Sequence, residues 1–159
     1  LERRTTAYRA KTGNLLFSDY LDLEQKKGVR TIGKTGNWEW VAAFAPDGFY
    51  EIWGILPTRH SLVDLFEDEC RDLAEGLIRI QRFYRSLCRN GYNLGILSIE
   101  NDSSGDLELR CVVLVRSNYA AWARNDHTGF EVMLGDMATF NSPEETAMAA
   151  RPFWESFRG

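Results

Sequence analysis

One stretch, Phe66 to Asn90, constrains the fold more than any other, because its apolar residues recur at helical spacing. Phe66, Cys70, Leu73, Leu77, Ile80, Tyr84 and Leu87 fall on one stripe, which Ala74 and Ile78 widen. A stripe of that width faces a core rather than a coiled-coil seam. The charges are sorted along it. Glu67, Asp68, Glu69, Asp72 and Glu75 come first, and Arg79, Arg82, Arg85 and Arg89 follow, an order that suits the helix dipole. Asn90-Gly91 is expected to close the helix through a left-handed glycine. Its length of about 37 Å would cross the face of a small sheet.

The rest of the chain supplies that sheet. Leu1 to Thr12 reads as a short polar helix. Leu15 to Lys27 reads as a second, with Leu15, Leu16, Tyr20 and Leu23 inward and Gly28 as its stop. Strands are expected at Val29–Lys34, Trp38–Ala45 and Phe49–Leu56. Turns fall at Gly36-Asn37 and at Pro46-Asp47-Gly48, where the glycine is expected at positive φ. After the long helix come strands at Tyr92–Glu100, Leu107–Arg116 and Phe130–Gly135. Ser142-Pro143-Glu144-Glu145 then opens a final helix with a capping-box pattern. Hairpin-length links and few crossovers give an α+β fold, an antiparallel sheet on one long helix with further helices at both ends.

Leu107 to Arg116 has two distinct faces. Leu107, Leu109, Cys111, Val113 and Val115 share one, which is expected to lie on the long helix. Glu108, Arg110, Val112, Leu114 and Arg116 share the other, left for water, another subunit or a further domain.

Composition narrows the function classes. The 159 residues are 44% hydrophobic with net charge -4, which fits a single globular domain and argues against a nucleic-acid or anionic-membrane surface. No apolar run is long enough to span a bilayer. The opening Leu1-Glu2-Arg3 lacks Met and is expected to belong to a longer protein. Cys70, Cys88 and Cys111 form no C-x-x-C pair, and the first two lie about 27 Å apart along one helix. Unpaired thiols fit a reducing, cytoplasmic setting. With only two histidines, His60 and His127, no metal-ligand cluster is visible, and neither a phosphate loop nor a nucleophile elbow occurs. His60 stands at a helix approach, where backbone N–H groups favour anions. His127 and Glu131 are close enough in sequence for acid–base work, but no third orienting group accompanies them.

In order along the chain, several short motifs resemble the galactose-1-phosphate uridylyltransferase family of the histidine-triad superfamily. They are Leu15-Leu16 with Asp19-Tyr20, Glu24 to Arg30, Trp38 to Pro46, Tyr50-Glu51-Ile52, Pro57-Thr58-Arg59-His60, Tyr92 to Gly95, Gly129-Phe130-Glu131 and Pro143-Glu144-Glu145 with Ala147. That family carries two histidine-triad folds per chain, and residues 1–159 resemble the second, C-terminal one. The resemblance implies a preceding histidine-triad domain that supplies the nucleophilic histidine. It leaves sugar-phosphate or nucleotide-sugar contacts, and part of a dimer-built site, to this domain. Glu131 would hydrogen-bond sugar hydroxyls, and Asn125 stands where the family has a basic residue. Arg110 and His60 would border the same surface. The strand that carries the triad reads Glu108, Arg110, Val112 here, so no catalytic residue, metal or cofactor is expected in this chain. Two readings follow. One is the C-terminal part of a uridylyltransferase-like nucleotidyltransferase of carbohydrate metabolism. The other is a degenerate, non-catalytic domain serving dimerisation or nucleotide and sugar-phosphate binding.

Overall fold

In the computed structural model, which describes residues 2–99, 105–116 and 141–155, two helices precede the sheet, α1 (Glu2–Thr12) and α2 (Leu16–Lys27). Three strands follow, β1 (Thr31–Thr35), β2 (Trp38–Ala42) and β3 (Phe49–Leu56). A 3-10 turn at Leu62–Asp64 leads into the long helix α3 (Glu67–Ser86). Then come β4 (Tyr92–Leu97), β5 (Leu109–Val115), α4 (Pro143–Ala150) and α5 (Pro152–Glu155). The strands form one antiparallel sheet in the order β1-β2-β3-β5-β4. The strand expected at Phe130–Gly135 lies outside the described residues.

The core is built on the face that α3 covers. Trp38, Trp40, Ile52, Leu56, Leu109, Cys111 and Val113 from the sheet meet Leu73, Ile80, Phe83 and Tyr84 of α3 and Ala147 and Ala150 of α4. The two-faced reading of β5 holds for Leu109, Cys111, Val113 and Val115 on this side, but Leu107, expected with them, lies before the strand begins and packs on the opposite face. The helix is turned about its axis relative to the stripe read from sequence: Cys70 and Ala74 are exposed, Leu77 is half-buried, and Gly76 and Phe83 are buried instead. The cause is Gly76. A Cβ there would collide with Cζ2 of Trp40, so the missing side chain lets the helix seat on the indole. Phe66 becomes the N-cap and is exposed; its N–H is taken by the Glu69 carboxylate at 2.9 Å.

The helix also ends sooner than expected. Cys88, at φ 57, takes the left-handed position, while Gly91 has ordinary φ. The Cys88 N–H donates to the Arg85 carbonyl at 2.9 Å and the Arg89 N–H to that of Tyr84 at 2.9 Å, the paired bonds of a Schellman closure. At the β2–β3 turn the positive φ likewise sits at Tyr50 rather than Gly48, inside the register shift between Phe49 and Ile52. Cys70 and Cys88 are exposed rather than in apolar surroundings, whereas burial pushes the Cys111 thiol up to about 12.

The opposite face of the sheet is not left open along its whole length. Phe17 and Leu21 of α2 pack on Val41, Ile55 and Leu107, with Tyr20, Trp53 and Ile99 at the margin. The helix is again turned from expectation, with Phe17, Leu21 and Glu24 buried and Leu23 exposed. Glu24 explains part of that turn. Its buried carboxylate accepts from Nε and Nη2 of Arg30 at 2.9 and 2.7 Å, and Nη1 of Arg30 reaches Glu144 of α4 at 2.6 Å. Gly28 closes α2 at φ 67, as its position predicts. The capping box of Ser142 and Glu145 also forms. No described helix is long and apolar enough to cross a membrane.

Candidate functional site

Period-two alternation places Glu108 and Arg110 on the side of the sheet away from α3. Both are met there by the start of α2. The N-cap residue of α2 is Leu15, which has no side-chain oxygen to offer. Glu108 supplies the missing acceptors. One of its oxygens accepts the Phe17 N–H at 2.8 Å and the other accepts the Ser18 hydroxyl. A carboxylate at a helix N-terminus satisfies orphan donors and meets the positive end of the dipole. Burial raises the Glu108 pKa, while the bonds from Ser18 and Phe17 and the charge of His60 oppose the rise.

Arg110 is only 9% exposed. Its guanidinium carbon lies 4.2 Å from the centroid of Trp53 and 4.7 Å from that of Phe17, a cation–π arrangement that fixes the plane of the fork. Its Nε is buried and has no hydrogen-bond partner among the described residues. Burial lowers its pKa, and the charges of Glu51 and Asp47 push back. Glu51 is buried beside it, accepting the Trp53 indole N–H at 2.5 Å and the Asp47 N–H at 2.6 Å. Desolvation raises the Glu51 pKa. Tyr20 lies with its ring centroid 5.7 Å from that of Trp53, and its hydroxyl is pushed up to about 12, chiefly by burial.

His60 joins the same end of β5. Its Nδ1 donates to the Leu107 carbonyl at 2.8 Å, since a carbonyl can only accept. Its own carbonyl accepts the Ile99 N–H, and that of Arg59 accepts the Leu109 N–H. The structure therefore brings His60 and Arg110 to one end of one strand, on either side of Glu108. Asn125, His127 and Glu131 lie outside the described residues.

Phe17, Tyr20, Glu51 and Trp53 were not assigned to the site by sequence reasoning, although Tyr20 and Glu51 fall within the motifs that carry the resemblance. A signal existed for two of them, because Glu51, Trp53 and Ile55 alternate onto one face of β3 as Glu108 and Arg110 do on β5. For Phe17 and Tyr20 the helical phase of α2 was needed first.

Chemically, the arrangement offers donors on a fixed cation beside an aromatic surface, which suits an anionic or hydroxyl-rich ligand. It does not fit a metal. Glu108 is committed to α2, Arg110 is a cation, and among the described residues no three His, Cys, Asp or Glu side chains converge.

No protein-family model matches the chain. It is 30% identical over 131 residues to an uncharacterised protein of Archaeoglobus fulgidus, across 82% of this chain and 39% of that protein. It is 34% identical over 93 residues to a galactose-1-phosphate uridylyltransferase of Hypocrea jecorina, across 56% of this chain and 24% of that enzyme. Thus it spans well under half the length of either curated relative. Among solved structures, a uridylyltransferase mutant superposes with TM-score 0.79 at 19% identity, covering 97% of this chain and 51% of that one. An ADP-glucose phosphorylase from Arabidopsis thaliana with bound ADP-glucose gives 0.71 at 19% identity, over 92% and 46%. A zinc-bound histidine triad family protein from Mycobacterium smegmatis gives 0.54 at 17% identity, over 79% and 84%. The chain has the histidine-triad-like fold of these structures, and its resemblance to galactose-1-phosphate uridylyltransferases, first drawn from short motifs, is met by the 34% identity to one of them over 56% of the chain.

Proposed function

We propose that this chain is the C-terminal histidine-triad-like part of a uridylyltransferase-like protein and binds a sugar phosphate or nucleotide sugar on the face of β5 that bears Arg110. The observation that carries the reading is the Arg110 guanidinium, held flat on Trp53 and Phe17 with a buried N–H that no described residue accepts. An unmatched buried donor costs about 1–3 kcal/mol, and a ligand oxygen would recover that cost. The ADP-glucose in the related phosphorylase belongs to the same class of compound. Asn125 and Glu131 would complete the surface, with His60 at its border. The nucleophilic histidine is assigned to a preceding domain.

The second reading, a non-catalytic binding or dimerisation domain, is favoured by β5 itself, where the triad positions of the resemblance hold Glu108 and Arg110. One set of experiments separates the outcomes. Amide shifts would be followed while UDP-glucose, UMP and glucose 1-phosphate are titrated, alongside Arg110→Met, which keeps the stem and removes the donors. Shifts around Arg110 that vanish in Arg110→Met are expected; shifts elsewhere, or none at millimolar ligand, would sink the binding assignment. The isolated chain is expected to release no glucose 1-phosphate from UDP-glucose. If a longer gene product with an intact His-x-His-x-His does release it, the first reading stands.

A further inference from the structure

The Arg110 site holds an acid as well as a base, and the two together decide what kind of oxygen fits there. Arg110 stands opposite Ile55 in the β3–β5 register, yet its guanidinium lies over Trp53, two residues back along β3. The side chain therefore leans along the sheet toward Glu51. Glu51 is on the same side, since it accepts the Trp53 indole N–H. The charges of Glu51 and Asp47 both act on the guanidinium. Arg110 and Glu51 are only 9% and 4% exposed.

Both groups keep hydrogen-bonding capacity. Nε of Arg110 has no acceptor among the described residues. Each Glu51 oxygen takes one N–H, from the Trp53 indole at 2.5 Å and from Asp47 at 2.6 Å. A carboxylate oxygen can accept twice, so each retains a lone pair. Spare donors and spare acceptors thus occur on one face of β3 and β5. The rings of Phe17, Tyr20 and Trp53 surround them, and such walls strengthen any polar contact made inside.

A phosphate answers only half of this arrangement. Its oxygens accept, so they satisfy Arg110, but they bring negative charge toward Glu51 and Asp47. One cation beside two carboxylates leaves no excess of positive charge to hold it. A hydroxyl both donates and accepts. Two hydroxyls on adjacent ring carbons can accept from the arginine fork and donate to the carboxylate.

We infer that the group held jointly by Arg110 and Glu51 is a neutral vicinal diol of a sugar ring, with the ligand's phosphate outside this pair. The inference rests on the proposal that a sugar phosphate or nucleotide sugar binds here, and it names the part of that ligand which meets Arg110. Hexose and ribose rings both carry the chemistry, and a titration separates them.

The Trp53 indole N–H, which donates to Glu51, is the reporter in amide-shift titrations of the whole chain. UDP-glucose, methyl glucoside, uridine and inorganic phosphate are added separately. UDP-glucose and at least one neutral diol are expected to move the reporter, methyl glucoside marking a hexose and uridine a ribose, while phosphate leaves it in place. Glu51→Gln, checked for folding by circular dichroism, decides by sign. Loss of a charged acceptor should weaken UDP-glucose about tenfold or more, whereas a phosphate at Arg110 would bind more tightly once the neighbouring negative charge is gone. Tighter or unchanged UDP-glucose binding in Glu51→Gln overturns the inference and leaves Arg110 as a ligand contact. So does phosphate reproducing the UDP-glucose shifts when neither diol does. No shift with UDP-glucose at millimolar concentration overturns the binding proposal itself, and the inference with it.

Discussion

Glu108 accepts the backbone N–H of Phe17 at 2.8 Å across a separation of 91 residues. A strand side chain thus caps a helix that has no cap of its own, and it fixes where α2 begins on the sheet. Glu108→Ala would leave the Phe17 donor and the Ser18 hydroxyl without an acceptor in a buried place. The expected cost is about 1–3 kcal/mol in urea melts. Glu108→Gln keeps an acceptor for Phe17 and should lose less than half as much. Equal losses for the two variants would show that the carboxylate's charge, rather than the hydrogen bond, holds the helix.

Gly76 predicts a larger effect from a smaller change. Alanine is normally the better helix residue by about 1 kcal/mol, so Gly76→Ala would stabilise an unconstrained helix. Here the new methyl collides with the Trp40 indole, and Trp40 is fully buried with its Nε1–H donating to the Thr35 hydroxyl at 2.8 Å. Overpacking of this kind costs about 1–3 kcal/mol, so the net change should be destabilising. Ile80→Ala, which empties space in the same seam, should cost about 2–5 kcal/mol. A stabilised Gly76→Ala would show that α3 stands further from the sheet.

Stability should fall as pH rises above the ordinary carboxylate range. Burial raises the pKa of both Glu51 and Glu108 above the ordinary carboxylate value. The folded chain then holds those protons more tightly than the unfolded chain, so their contribution is greatest below the unfolded pKa of about 4.3 and is lost as pH climbs through the folded values. Glu144 shifts the other way through Arg30, but it is exposed and screened by solvent. Chemical denaturation across this range should show a slope that flattens in Glu51→Gln combined with Glu108→Gln. An unchanged slope in the double variant would assign the pH dependence to other groups.

Which stretches are helix or strand, and which of their faces are apolar, was legible before any coordinates. The stripe of α3 could be read at Leu73, Ile80 and Tyr84, the α3 side of β5 at Leu109, Cys111 and Val113, and the ends of helices at Gly28 and Ser142. These are periodic or local signals, set by neighbours within a few residues. The rotation of α2 and α3 was not legible, because it depends on remote shapes: the gap at Gly76 that admits Trp40, and the Glu24–Arg30–Glu144 pairing that joins three elements. Nor was the full site. Arg110 could be read as a cation on a two-faced strand, but Trp53 and Phe17 reach it only through the pairing of β3 with β5 and the docking of α2. Periodicity within an element shows which side it must bury, and only the register between elements shows what that side will meet.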